Sequence, residues 1–166
     1  QETDQMFHRN KYINYINFDS SDIKIKRSFE GCTSLGKVNI TNTTIEKIDR
    51  RTFFNCTSLK QVLFPNTTNS IDKFSFMNCI QIRDLFFPYE NNYWFISESA
   101  FENCIGLVSV VFRLPPLMIG SKAFYSCISL QSVHVLENPF SALSATCILD
   151  KAFMNCTLLT DFDFDN

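Results

Sequence analysis

Residues 53–64 read FFNCTSLKQVLF, and close copies of this stretch return along the chain. FEGCTSLGKVNI begins at Phe29, FMNCIQIRDLFF at Phe76, FENCIGLVSVVF at Phe101, FYSCISLQSVHV at Phe124 and FMNCTLLTDFDF at Phe153. We number each copy from its leading Phe as position 0. Cys then falls at +3, an aliphatic residue at +6, and apolar residues at +9 and +11. The +6 column is Leu35, Leu59, Ile82, Leu107, Leu130 and Leu159. The +9 column is Val38, Val62, Leu85, Val110, Val133 and Phe162, and the +11 column is Ile40, Phe64, Phe87, Phe112, Val135 and Phe164. Self-similarity of this kind marks a stacked repeat architecture.

A worn copy precedes these six. Phe7 leads to Asn10 at +3, Ile13 at +6, Ile16 at +9 and Phe18 at +11. The Phe-to-Phe spacings are 22, 24, 23, 25, 23 and 29 residues. The long last interval holds an insertion at about 136–147 that contains the odd cysteine, Cys147. The reading is one domain over 1–166, with a degenerate first repeat at 6–22 and six F-x-x-C repeats at 23–164.

Position −1 is always small: Ser28, Thr52, Ser75, Ala100, Ala123 and Ala152. Position +2 is Gly31, Asn55, Asn78, Asn103, Ser126 and Asn155, residues suited to a left-handed turn just before each Cys. Five residues before Phe stands Ile48, Ile71, Ile96, Ile119 or Ile148 as a further inward anchor. The first full unit departs here, with Lys24 between Ile23 and Ile25. The stretch from +6 to +11 is a short alternating strand, which Pro65 and Pro88 terminate in two copies. One strand per coil cannot bury its own apolar face. Stacked coils join their strands into a parallel sheet and their anchors into one core.

Units such as IDKFSFMNCIQIRDLFFP (71–88) and IGSKAFYSCISLQSVHV (119–135) resemble the BspA-like, Treponema pallidum-type leucine-rich repeat. The resemblance covers about positions 6–164. Departures are the Phe-rich last strand position, Asn10 and the long sixth interval. It implies a right-handed, α/β-type repeat solenoid of about seven 22–29-residue coils. One parallel sheet would line the concave face, with short or irregular second strands and turns on the convex side. It also implies use in binding. The family is abundant in surface proteins of bacteria and of parasitic protists such as Entamoeba or Trichomonas, and the Phe, Ile, Asn and Lys enrichment suits an AT-rich protist genome.

The six +3 cysteines are expected to form an inward ladder of free thiols. Parallel side chains do not reach the dihedral near 90° that a disulfide requires. Intervals of 23 residues lack the paired close spacing of a metal site. A buried thiol behaves as a small hydrophobe with a weak S–H donor. Free thiols favour a reducing compartment. Five N-x-[ST] sequons, at Asn39, Asn42, Asn55, Asn66 and Asn155, point the other way. Cell surface or secreted is the expected location, with cytoplasmic as the alternative.

Composition excludes several classes. The 166 residues are 45% apolar with a net charge of −2, which gives no general field for nucleic acid. Arg50, Arg51 and the basic stretch Lys24 to Arg27 read as solvated surface. No apolar run reaches the roughly 18 residues of a membrane span. No catalytic or phosphate-loop motif occurs, and no cofactor or metal is expected. Asp161, Asp163 and Asp165 read as an acidic sheet end, since the Gly and terminal Glu of an EF-hand loop are missing. The chain opens on QETDQMFH, as either a trimmed or a mature product would. It ends just after a strand, as a piece of a longer array or an open edge prone to self-association.

Binding residues are expected on the strand positions facing away from the core, columns +8 and +10. The candidates are Lys37, Asn39, Gln61, Leu63, Asp84, Phe86, Ser109, Val111, Ser132 and His134. Leu63, Phe86 and Val111 would form an apolar stripe on successive strands, of the kind that often contacts a protein. His134 reads as a solvated residue of that face. Tyr89, Tyr93 and Trp94 lie in one loop, with Trp94 placed in the core. The expected function is a non-catalytic recognition or adhesion module. An intracellular scaffold for an enzyme such as a phosphatase is the alternative.

Overall fold

The computed structural model describes residues 6–20, 25–88, 94–137 and 146–164. Ile23, Lys24, Tyr89, Tyr93, Asp165 and the 138–145 part of the insertion lie outside them.

Local hydrogen bonds explain why each F-x-x-C copy turns. The Cys amide donates to the carbonyl of its own Phe, and the +6 amide donates to the Cys carbonyl. In the second full copy these are Cys56 N to Phe53 O at 3.1 Å and Leu59 N to Cys56 O at 3.0 Å. The turn delivers +6 inward and hands the chain to a strand. The strands, in chain order, are β1 Tyr15–Asn17, β2 Lys37–Asn39, β3 Lys47–Ile48, β4 Gln61–Leu63, β5 Ser70–Ile71 and β6 Asp84–Phe87. They continue as β7 Phe95–Ile96, β8 Ser109–Phe112, β9 Met118–Ile119, β10 Ser132–Val135, β11 Cys147–Ile148 and β12 Asp161–Asp163. Every pairing among them is parallel.

The result is a parallel β-solenoid in which five turns carry both a longer strand (β2, β4, β6, β8, β10) and a two-residue strand that follows it. Strand β1 precedes them and β12 follows. The two-residue strands form one continuous sheet in the order β11-β9-β7-β5-β3. The longer strands do not form the single sheet expected. They divide into β1-β2-β4 and β12-β10-β8-β6.

No helix occurs among the described residues, which corrects the α/β description. The cause is visible in the backbone. Each full coil contains two left-handed residues. One is at +2, from Gly31 (φ 73°) and Asn55 (φ 58°) to Asn155 (φ 65°), as expected. The other is at −2: Arg27, Arg51, Phe74, Ser99, Lys122 and Lys151. A left-handed residue every few positions forbids a right-handed helix between them.

Fifteen of the eighteen +6, +9 and +11 residues are buried; Leu159, Phe162 and Phe164 of the last coil are the others. Ile48, Ile71, Ile96 and Ile119 are wholly buried, whereas Ile148 of the last coil is 43% exposed, contrary to its expected role as an anchor. Among the described residues no later coil stacks against it. The Phe column forms a continuous stack from Phe7 to Phe153, with neighbouring centroids 5.1–5.6 Å apart. Each such pair is worth about 0.5–1.5 kcal/mol beyond burial. Trp94 is in the core as expected, edge-on to Phe87 at 4.7 Å.

The thiol column has a specific partner that burial alone would not specify. Each Cys donates through Sγ to the carbonyl of the Phe in the preceding coil: Cys32 to Phe7, Cys56 to Phe29, Cys79 to Phe53, Cys104 to Phe76, Cys127 to Phe101 and Cys156 to Phe124, at 3.0–3.3 Å. Each of these Phe carbonyls thus accepts the +3 amide of its own coil, Asn10 for Phe7 and Cys for the others, and the thiol of the next. Side-chain amides repeat the motif outside the core. Asn78 Nδ2 donates to Asn55 Oδ1 at 2.7 Å and Asn103 Nδ2 to Asn78 Oδ1 at 3.2 Å.

Candidate functional site

Strand alternation places +9 and +11 in the core and turns +8 and +10 outward. Register then decides which outward residues meet. Lys37 lies opposite Gln61 and Asn39 opposite Leu63. Asp84 lies opposite Ser109 and Phe86 opposite Val111. Ser132 and His134 lie opposite Ser109 and Val111. All ten candidates therefore share the longer-strand side, but in two groups. Leu63 belongs to the first sheet, and Phe86 and Val111 to the second. The apolar stripe is cut between its first and second members.

Phe86 is 50% exposed, as open as Tyr15 on β1. Leu63 and Val111 are half-buried. Ser109 Oγ donates to Asp84 Oδ1 at 2.6 Å. Asn39 Oδ1 is taken by the Thr41 amide and hydroxyl at 3.2 and 2.9 Å. His134 is not simply solvated. Its Nε2 lies 3.1 Å from Asp161 Oδ2, and the two form an ion pair when the imidazole is protonated.

The cut has a clear signature. At each other junction between longer strands, the +7 and +8 amides of one coil both point at the +7 carbonyl of the coil before. Examples are Lys60 and Gln61 on Gly36 at 2.9 and 3.4 Å, and Val108 and Ser109 on Arg83 at 2.7 and 3.2 Å. Between β4 and β6 the pair is missing. Neither the Arg83 nor the Asp84 amide bonds to the Lys60 carbonyl. Successive +7 residues here are the cations Lys60 and Arg83, and like charges on adjacent strands oppose pairing. A cleft of about 670 Å³ opens at this place and runs on along the same side past Gly106, Val108 and Ser129.

The expected solvation of Arg51 also needs correction. Its guanidinium grips Glu30 through Nε at 3.0 Å and a second nitrogen at 2.7 Å, and lies 3.8 Å over the Phe54 ring. The hydrogen bond from Arg51 holds the Glu30 carboxyl below its ordinary range.

All seven cysteines are free. Burial pushes the Cys104 thiol up to about 12 and those of Cys79 and Cys127 well above the ordinary value. Thiols held protonated in this way are poor nucleophiles and poor metal ligands. Cys147 is exposed. Of the sequons, Asn55 and Asn155 have amides inside the outer ladder, while Asn42 and Asn66 are exposed.

Residues 3–131 and 94–166 match the family described as BspA type leucine rich repeat region, with 6 copies. The chain belongs to the BspA-type leucine-rich repeat family. A leucine-rich repeat protein of T. pallidum is similar in structure at 22% identity and a TM-score of 0.63, over 89% of this chain and 67% of that one. A leucine-rich repeat protein from Bacteroides ovatus is 21% identical with a TM-score of 0.53, over 90% of this chain and 40% of that one. The chain therefore spans well under half of the Bacteroides protein. No curated protein matches it in sequence. Both structural relatives are bacterial, so they lend nothing to a protist origin.

Proposed function

We propose that the chain is a non-catalytic recognition module that holds a protein, at the cell surface or in the matrix, against its longer-strand side. The observation that carries this reading is the contrast between columns. The inward positions are uniformly apolar, while the outward ones change chemistry from coil to coil on a rigid, register-locked frame. Specificity on a repeat scaffold resides in such variable positions. Phe86 and Val111, opposed on neighbouring strands, supply the apolar centre. Gln61, Asp84, Ser109, Ser132 and His134 supply a polar surround, an arrangement common at contact sites. Membership of the BspA-type family supports a protein partner and a role in adhesion.

The test is capture of binding partners by wild type beside a Phe86→Asp, Val111→Asp variant shown to remain folded. Loss of capture is expected, and undiminished capture removes this side of the solenoid from consideration. Compartment is decided separately. Surface display predicts glycan at Asn66 and Asn42, whose side chains are open, before Asn39, Asn55 or Asn155. Native protein bare at both and fully thiol-reduced at Cys147 would favour the intracellular scaffold. No helix among the described residues is long and apolar enough to cross a membrane.

A further inference from the structure

We propose that the cleft between β4 and β6 receives a carboxylate-bearing stretch of a partner polypeptide, so that the recognised sequence is acidic. The inference rests on the reading of the strand side as a recognition surface and assigns the chemistry of what sits there. The cleft is lined by Lys60, Gln61, Gln81, Arg83, Asp84 and Ile80, among others. Its two cations are exposed, and neither has an ion-pair partner among the described residues. Arg51, by contrast, is fully engaged by Glu30. The one carboxylate of the cleft, Asp84, is already bonded to the Ser109 hydroxyl and is drawn toward the neighbouring strand.

The backbone adds donors. Because the ladder fails at this junction, the Arg83 and Asp84 amides lack the carbonyl that their counterparts in other coils find in the preceding coil. Arg83 can grip a carboxylate with two parallel N–H bonds, and Lys60 adds a point charge beside it. The far wall is firm: a Cβ on Gly106 would lie 2.5 Å from the Ile80 carbonyl oxygen, so glycine there lets two coils close tightly behind the opening. Phe86 stands on the same face of β6 two residues beyond Asp84, about 7 Å away. It can pack an apolar side chain of the same peptide.

The charge count favours a peptide over a sulfated glycan. Two cations with an acid between them suit one or two carboxylates, while a polysulfated chain needs a longer run of positive charge and would meet Asp84.

The experiment is a titration of isotope-labelled full chain, followed through backbone amide resonances, with N-acetylated, C-amidated hexaglutamate. Hexaglutamine and a heparin-derived hexasaccharide serve as comparisons. Hexaglutamate is expected to shift the Gln61, Arg83 and Asp84 amides, and added salt to weaken it. Lys60→Gln with Arg83→Gln should weaken it by about tenfold or more, with resonances of distant coils unchanged. An equal response to hexaglutamine, a stronger response of the same amides to the hexasaccharide, or no localised response overturns the proposal. Partner capture separates the two readings. If capture depends on Phe86 while hexaglutamate has no effect, the cleft alone is wrong; if hexaglutamate binds as expected while capture ignores Phe86, the broader strand-side reading fails instead.

Discussion

The first and last coils among the described residues share one register yet fill it differently. In the first, Asn10 stands where every later coil has Cys, and its Oδ1 turns back onto the Tyr12 and Ile13 amides at 2.8 and 3.0 Å. It closes its own turn and asks nothing of a preceding coil. In the last, Cys156 keeps the interior bond to Phe124, but several apolar side chains of the coil are uncovered among the described residues. Met154, Leu158 and Phe162 are 48%, 51% and 43% exposed. Phe162 occupies a column that is core in every other coil. The lesson is that column identity alone does not make a residue buried; a following coil does.

This contrast can be attacked directly by equilibrium denaturation. The largest effect is expected from the ring column. Phe76→Ala, in mid-stack, should cost about 3–5 kcal/mol, whereas Phe7→Ala, half-buried at the end, should cost far less. Equal losses would mean that the rings do not act as a continuous spine. Next comes the thiol column. Cys79→Asn places an amide where only one carbonyl acceptor is offered, and should cost about 2–3 kcal/mol. The same change at half-buried Cys156 should cost under about 1 kcal/mol. Asn10→Ala removes two bonds to backbone amides and should cost about 1 kcal/mol, with Asn10→Cys no better.

Smaller still is the Arg51–Glu30 pair. Glu30 has a folded-state pKa below its unfolded value, so its contribution is present above the unfolded value of about 4.3 and fades as pH falls through the folded one. Glu30→Gln should therefore lower stability by about 1–2 kcal/mol at neutral pH and flatten the loss of stability on acidification below about pH 4. An unchanged acid profile would show the pair to be energetically idle. Finally, alkylation of native protein should modify Cys147 first and Cys156 next, with five thiols unreacted until unfolding. Reaction of Cys79 or Cys104 at the Cys147 rate would place the column outside the core.

The interior was readable because its positions demand one chemistry. Phe, Cys and aliphatic columns survive in the sequence since any other residue leaves a void or an unpaired group. Left-handed +2 was readable because Gly and Asn tolerate it. Left-handed −2 was not, since Arg51, Phe74 and Lys122 are poor choices for it; the strain is imposed by stacking and offset there. The thiol acceptors were equally hidden, because they sit one coil away. The ten outward residues do share one side of the solenoid, but the division of that side was not legible. Nothing in the alternation at Gln61–Leu63 or Asp84–Phe87 signals a lost ladder. The adjacent cations Lys60 and Arg83 were the available clue, one position upstream of the columns chosen as outward.

The shared Phe carbonyl has a further consequence for the length of such molecules. Each coil presents to its successor the same Phe carbonyl and the same ring face, and this interior contact persists even between β4 and β6, where the strand ladder is lost. Excising one whole period, for instance 76–100, would set Phe101 against Phe53 and Cys104 against the Phe53 carbonyl, keeping both interior contacts in kind. Reach along the stack is thus a quantity that gene duplication or loss can adjust in steps of one strand spacing, about 4.8 Å, while the ring and thiol columns stay continuous.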